Sequence, residues 1–153
     1  QGRHSMKGKL RISLKANEKI YINGAVVKVD RKTSIEFLND VQFLLENHVM
    51  LPENASTPLR QLYFIIQVIL MNPNDSGDAR DMFRRSLPLL LASFTSEQIR
   101  ATLKQVDRLV SEEHTYEALK MLRGLFRLEE AVLAESDTAH KPIENLALEA
   151  LAS

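Results

Sequence analysis

The sequence predicts an α+β protein in which a small N-terminal antiparallel β meander packs on a mostly α-helical bundle. Three observations lead to this prediction: alternating apolar and polar residues near the N-terminus, an Asn-Gly dipeptide between two such runs, and apolar residues at helical spacing over most of the remaining chain. The 153 residues are 44% hydrophobic, and none is cysteine. That content is sufficient for a core, and the lack of cysteine excludes disulfides and thiolate chemistry.

The β prediction comes from residues 9–29. Residues 9–15 alternate between polar and apolar side chains, which is typical of a half-buried strand. Residues 19–22 and 25–29 lie on either side of Asn23-Gly24, and both residues of this dipeptide tolerate the positive φ angles of a tight hairpin turn. We therefore predict three short strands in a meander.

Helical signals begin at Thr33. Thr33 followed by Glu36 matches a capping box, and the apolar spacing after it predicts a first helix that ends near residue 48. Thr57-Pro58 predicts the start of a second helix, to about residue 71, that is apolar around most of its circumference. The remaining predicted helices, of which the last two form an antiparallel hairpin, cover about residues 78–94, 95–112 and 116–135.

We expect four segments along the chain. They are residues 1–5, an expression remnant before Met6; residues 6–32, a basic β segment; residues 33–135, a helical domain; and residues 136–153, a C-terminal tail that is either a short helix or disordered. No apolar signal region follows Met6, and no apolar run approaches the roughly 20 residues of a membrane span. These features favour a cytoplasmic protein without a membrane partner.

Charge is distributed unevenly along the chain. The formal net charge is zero, yet residues 7–32 hold eight of the twenty Lys and Arg residues and only two of the twenty acidic residues. Such a split indicates a polyanionic partner for one end of the protein. The candidate RNA-binding residues are these eight cations and one aromatic residue for base stacking: Lys7, Lys9, Arg11, Lys15, Lys19, Lys28, Arg31, Lys32 and Tyr21. The alternative is that lysines on edge strands prevent aggregation.

Motifs for catalysis and cofactor binding are missing from the sequence. It contains no Gly-x-Ser-x-Gly elbow, no glycine-rich phosphate loop and no closely spaced histidine pair. We interpret Glu129-Glu130 as a solvated acidic face, and Arg80, Arg84 and Arg85 as ion-pairing residues of a helix surface. We therefore expect a protein that is not an enzyme, with no metal and no cofactor.

Several runs of the chain together match one known pattern. They are residues 10–15, 22–26, 30–32, 37–41, 44–50, 57–64 with Gln67, and 116–120 with 125–126. In this order they resemble the FlbT family of flagellar biosynthesis regulators, and the resemblance extends over about residues 6–135.

The resemblance implies a post-transcriptional regulator that binds the 5′ untranslated region of flagellin mRNA and alters its translation or decay. The implied partners are the flagellin mRNA leader and, among proteins, the regulator FlaF or flagellin. A second hypothesis is an adaptor or chaperone-like protein that binds flagellin or a partner regulator through apolar helices and affects the mRNA indirectly. The apolar second helix also leaves a homo-oligomer open.

Overall fold

The computed structural model describes residues 10–135, which divide into two units at the Val49–Met50 bond. Within these residues, the first unit holds the β-strands and the second holds the α-helices, so the α+β class is confirmed. The division lies after Val49, whereas the sequence placed the start of the helical domain at Thr33. Lys7, Lys9, the predicted expression remnant and the C-terminal tail lie outside the described residues.

Two small antiparallel sheets form the first unit. The strands are β1 (Arg11–Leu14), β2 (Lys19–Ile22), β3 (Ala25–Lys28), β4 (Thr33–Glu36) and β5 (Phe43–Leu45). β1 pairs with β4, and the second sheet has the order β3-β2-β5. The meander prediction is therefore right for the hairpin of β2 and β3 and wrong for β1, whose hydrogen-bonding partner is β4.

The Asn23-Gly24 turn joins β2 to β3 as predicted. Asn23 has a φ of 49° and Gly24 a φ of 89°, which is the left-handed backbone that a two-residue hairpin turn requires. The turn fixes the register of the hairpin, in which Ile22 faces Ala25 and Lys19 faces Lys28. The position of both lysines thus follows from the turn.

The predicted helix over residues 33–48 is wrong. Thr33–Glu36 form β4 and Phe43–Leu45 form β5, and only Glu46–His48 make a turn of 3₁₀ helix. The capping-box pattern is present, but the backbone of residues 33–36 pairs with β1, with Ile35 facing Ile12. Long-range pairing has therefore overridden a local helix signal, because an apolar cross-strand partner is available for a short β segment.

Five α-helices and one 3₁₀ turn form the second unit as described. The helices are α1 (Pro58–Met71), α2 (Gly77–Ser93), α3 (Glu97–Ser111), α4 (Thr115–Arg123) and α5 (Phe126–Glu135), and the turn is Pro52–Asn54. The predicted cap of α1 is confirmed, since the Thr57 side chain accepts a hydrogen bond from the Arg60 N–H. Ser96 caps α3, since its side chain accepts a hydrogen bond from the Ile99 N–H. The last predicted helix is two helices, which divide at Gly124.

α1 is the central helix of this unit. Ten of its fourteen residues are buried, and it packs against both α2 and α4. α3 packs against α4 in the hairpin that the sequence predicts. Among residues 10–135, no helix combines the length and apolar composition that crossing a bilayer requires.

A buried glutamine attaches the start of the helical unit to α1. The Gln67 side chain accepts a hydrogen bond from the Met50 N–H at 2.7 Å and donates one to the Met50 carbonyl at 2.9 Å. Replacing Gln67 with leucine should lower the free energy of unfolding by about 1–3 kcal/mol, because both backbone groups lose their partner. Urea denaturation measures this loss. The exposed Gln105→Leu variant is the control, and equal stability of the two variants would contradict the assignment.

Candidate nucleic-acid interface

One face of the three-stranded sheet brings together three of the predicted site residues. Lys19 lies opposite Lys28, and Tyr21 lies opposite Val26, so these four side chains project from the same face. We call this set the lysine face. Both lysines are exposed, Tyr21 is half-buried, and Val26 is 62% exposed. The face thus combines two cations with an accessible aromatic ring.

The two lysines of this face repel each other. Like charges directly opposite in an antiparallel pair destabilise a sheet. Within residues 10–135, no carboxylate is at ion-pair distance from Lys19 or Lys28. The nearby Glu46 instead accepts a hydrogen bond from the Lys19 backbone N–H at 2.8 Å. An anion bound here would relieve the repulsion.

The other described cations of the basic segment are arranged differently. Arg11 lies on the two-stranded sheet and pairs at 3.3 Å with Glu36, which faces it across β1 and β4. Arg31 pairs at 3.4 Å with its neighbour Asp30, and both side chains are more than 80% exposed. Lys15 and Lys32 are exposed and lie outside the strands. Both pairs are exposed and therefore weak, so Arg11 and Arg31 both remain accessible.

A shallow cleft extends from the end of β3. Its volume is about 490 Å³, and it is lined by Lys28, Val29, Asp30, Arg31 and Thr33. Lys28 thus belongs both to the lysine face and to the cleft, where Arg31 is the second cation. The cleft extends the cationic surface beyond the sheet.

A second cluster, in the helical unit, was missed by sequence reasoning. Glu129 is fully buried and accepts hydrogen bonds from the Thr57 hydroxyl and from the Leu59 N–H, the latter at 2.7 Å. Its carboxylate thereby caps the N-terminus of α1, where unpaired N–H groups and the helix dipole favour an anion. Burial raises the pKa of Glu129, and the hydrogen bonds oppose this rise. Only Glu130 fits the predicted solvated face.

Aromatic and arginine side chains form further contacts between α1 and the helices that follow it in this unit. Arg60 pairs with Glu130 at 2.7 Å and lies 4.6 Å from the centre of the Phe126 ring. Phe126 meets Tyr63 edge to face, and the Tyr63 hydroxyl accepts a hydrogen bond from Arg123 at 2.9 Å. Burial raises the pKa of Tyr63, an effect that Arg123 opposes. The contacts of Phe126 and Glu130 fasten α5 to α1, and the hydrogen bond of Arg123 fastens the end of α4 to α1, so the cluster has a structural role.

The sequence does contain a signal for the buried carboxylate. Leu122, Leu125 and Phe126 mark an apolar stripe at helical spacing, and Glu129 occupies the next position of that stripe. A charged residue at a core position requires a buried partner. The partner was unpredictable, since Thr57 lies 72 residues earlier in the chain.

Two of the three arginines of α2, Arg80 and Arg84, form ion pairs, in agreement with their predicted role. Arg84 pairs with Asp81 at 2.9 Å, and Arg80 pairs at 2.9 Å with Glu113, beyond its own helix. Arg85 is exposed. In the part of the chain that the structure describes, no three His, Asp or Glu side chains are grouped so as to hold a metal ion.

Comparisons with known proteins give a consistent result. The family described as "Flagellar protein FlbT" matches residues 10–133. A protein of Mesorhizobium japonicum is 63% identical over 132 residues, which are 86% of this chain and 90% of the relative. A protein of Rhizobium leguminosarum bv. trifolii is 53% identical over 141 residues, which are 92% and 95% of the two chains. Both are named "Probable flagellum biosynthesis repressor protein FlbT".

A third relative, from Chelativorans, carries the same name and is 60% identical over 129 residues, or 84% of this chain and 89% of the relative. No solved structure shows a significant match. The family match covers both the strands and the helices described above, and the relatives are similar over nearly their whole length. The chain therefore belongs to the FlbT family of flagellar proteins.

Proposed function

We propose that this protein is a repressor of flagellum biosynthesis that binds the 5′ untranslated region of flagellin mRNA and alters its translation or decay. Membership of the FlbT family and the names of the relatives support the flagellar and repressor parts. The observation that supports RNA as the ligand is the lysine face, with two opposed lysines that no described carboxylate neutralises. The proposed action places the protein in the cytoplasm, where mRNA is translated.

The lysine face has the chemistry of a single-stranded RNA platform. Lys19 and Lys28 are positioned to bind phosphates. Tyr21 lies on the central strand β2 and projects from the same face, where an unpaired base can stack on its ring. Arg31 and Lys28 extend the cationic surface into the cleft. Phosphate contacts supply affinity and orientation, whereas the choice of message requires contacts to base edges.

The alternative, an adaptor that uses apolar helix faces, has less support. The described large hydrophobic side chains that remain exposed are Leu10, Val26, Val27, Leu38 and Leu51. None of them lies in a helix, because the apolar positions of α1 are used in the interior of the protein. The helices thus present little apolar surface for flagellin or another regulator.

Binding of purified, nucleic-acid-free protein to a flagellin leader RNA tests the proposal. We expect a complex with the leader and at least tenfold weaker binding to an RNA of the same length and composition in scrambled order. The affinity should fall as the salt concentration is raised. A plot of the logarithm of the association constant against the logarithm of the salt concentration should have a slope of about −0.7 per phosphate contact. Equal binding of both RNAs would contradict recognition of the leader, and a flat salt response would contradict phosphate contacts.

A further inference from the structure

β3 is an edge strand with unusual exposure. It pairs with β2 on one side, and no described strand pairs with its other side. All four of its residues are exposed, including Val26 at 62% and Val27 at 39%. An exposed edge with β-branched apolar residues is a template for pairing with another strand.

The direction of the backbone groups shows which residues of β3 face outward. The Val29 N–H donates to the Glu18 carbonyl, toward β2. Because hydrogen-bonding direction alternates along a strand, Val27 also bonds toward β2, while the N–H and C=O groups of Val26 and Lys28 point away from it. The outward N–H and C=O groups of these two residues are therefore available to hydrogen-bond with the backbone of an added antiparallel strand.

Charge indicates the kind of strand that fits. Lys28 lies at the outward-facing edge without a described carboxylate partner, and Arg31 stands beside it in the cleft at the end of β3. A second copy of β3 would add its own Lys28 to this edge, and Ala25–Lys28 contains no carboxylate that could pair with the cations already there. A segment with a carboxylate opposite Lys28 and a second one near Arg31 is complementary to both cations.

We propose that the β3 edge binds an extended acidic segment of a partner protein by strand addition. The Val26 and Lys28 backbone groups hold the segment, Val27 contacts its apolar side chains, and Lys28 and Arg31 bind its carboxylates. This surface is distinct from the apolar helix faces considered above. The inference stands on the backbone edge and does not depend on RNA binding.

A backbone-specific variant tests the proposal. Proline at position 26 removes an outward N–H and leaves the pairing of β2 and β3 in place, because that N–H does not point toward β2. The probe is a capped eight-residue peptide of alternating glutamate and valine, and its affinity is measured by fluorescence anisotropy. We expect Val26→Pro to weaken binding at least tenfold, while the matched Val26→Thr variant, which keeps the N–H, binds like the wild type.

Two further experiments test the proposal without relying on correct folding of the Val26→Pro variant. On wild-type protein, a peptide with N-methylated amides at alternate positions should bind at least tenfold more weakly, since its hydrogen-bonding edge is blocked. Lys28→Glu should weaken binding of the glutamate peptide and strengthen binding of a lysine peptide.

Equal binding of the N-methylated peptide would overturn the proposal, because the interaction would then require only charge attraction. Self-association that Val26→Pro abolishes, without peptide binding, would overturn it in favour of a second copy. Leader-RNA binding by Val26→Pro is assayed separately, so that failure of this proposal and failure of the RNA proposal are distinguishable.

Discussion

Replacing Glu129 with alanine is expected to lower the free energy of unfolding of the helical unit by about 2–4 kcal/mol. The carboxylate is buried, and its removal leaves the Thr57 hydroxyl and the Leu59 N–H without their partner. The cost of burying the carboxylate offsets part of this loss. Urea denaturation followed by far-UV circular dichroism measures the change.

The neighbouring Glu130 supplies the matched control. Its pair with Arg60 is formed by a carboxylate that is 57% exposed, and exposed pairs contribute about 0–1 kcal/mol. Glu130→Ala removes the same charge one residue away and should have a small effect. A loss for Glu129→Ala no larger than that for Glu130→Ala would contradict the role assigned to Glu129.

The contribution of Glu129 should also depend on pH in a defined direction. Burial raises its pKa above the usual value of 4.5. The folded protein therefore binds this proton more tightly than the unfolded chain does, so the contribution is fully present below pH 4.5 and is lost as pH rises through the raised pKa. Glu129→Gln lacks this titration. The stability of the wild type relative to Glu129→Gln should accordingly decline as pH rises above 4.5, and an increase would contradict this sign.

The double change of Lys19 and Lys28 to glutamine should weaken binding of the flagellin leader by on the order of tenfold or more at physiological salt. Both lysines project from one face, and each is expected to bind a phosphate. The slope of the logarithm of the association constant against the logarithm of the salt concentration should become shallower by about 0.7 for each phosphate contact with single-stranded RNA that is lost. Electrophoretic mobility shifts across a salt series measure both quantities.

Two exposed lysines of the helical unit, Lys104 and Lys120, provide the control for total charge. Changing both to glutamine removes the same charge and should leave binding nearly unchanged. The lysine-face variant should not be less stable than the wild type, because it loses a repulsive cross-strand pair. Equal RNA binding by the two double variants would show that the lysine face is not the phosphate-binding surface.

The sequence was a reliable guide wherever neighbouring residues determine the conformation. Both residues of Asn23-Gly24 tolerate positive φ angles, and the structure has the predicted hairpin turn at these residues. Thr57-Pro58 supplies both a capping hydroxyl and a preset φ angle, and α1 begins there. Charge selected Lys19 and Lys28, and aromatic character selected Tyr21. These three residues share a face because the turn sets the register of β2 and β3.

The failures involve partners that are distant in the chain. Thr33–Glu36 carry a capping box, but the segment pairs with β1, about twenty residues earlier. Glu129 was assigned to solvent because its hydrogen-bonding partners lie 70 and 72 residues away. The ion pair of Arg11 with Glu36 was also not predicted, because it depends on the register of β1 and β4. Local charge and hydrophobic periodicity do not predict which distant residues pair with each other.

The distance between Glu129 and the helix that it caps has a consequence for synthesis on the ribosome. The start of α1 is translated 70 residues before the carboxylate that completes it. The described strand pairs of the first unit, in contrast, all lie within residues 11–45. Because folding proceeds from the N-terminus during translation, the sheet that carries the lysine face is complete while the helical unit is still being made. The helical unit reaches its final stability only after α5 has been synthesised.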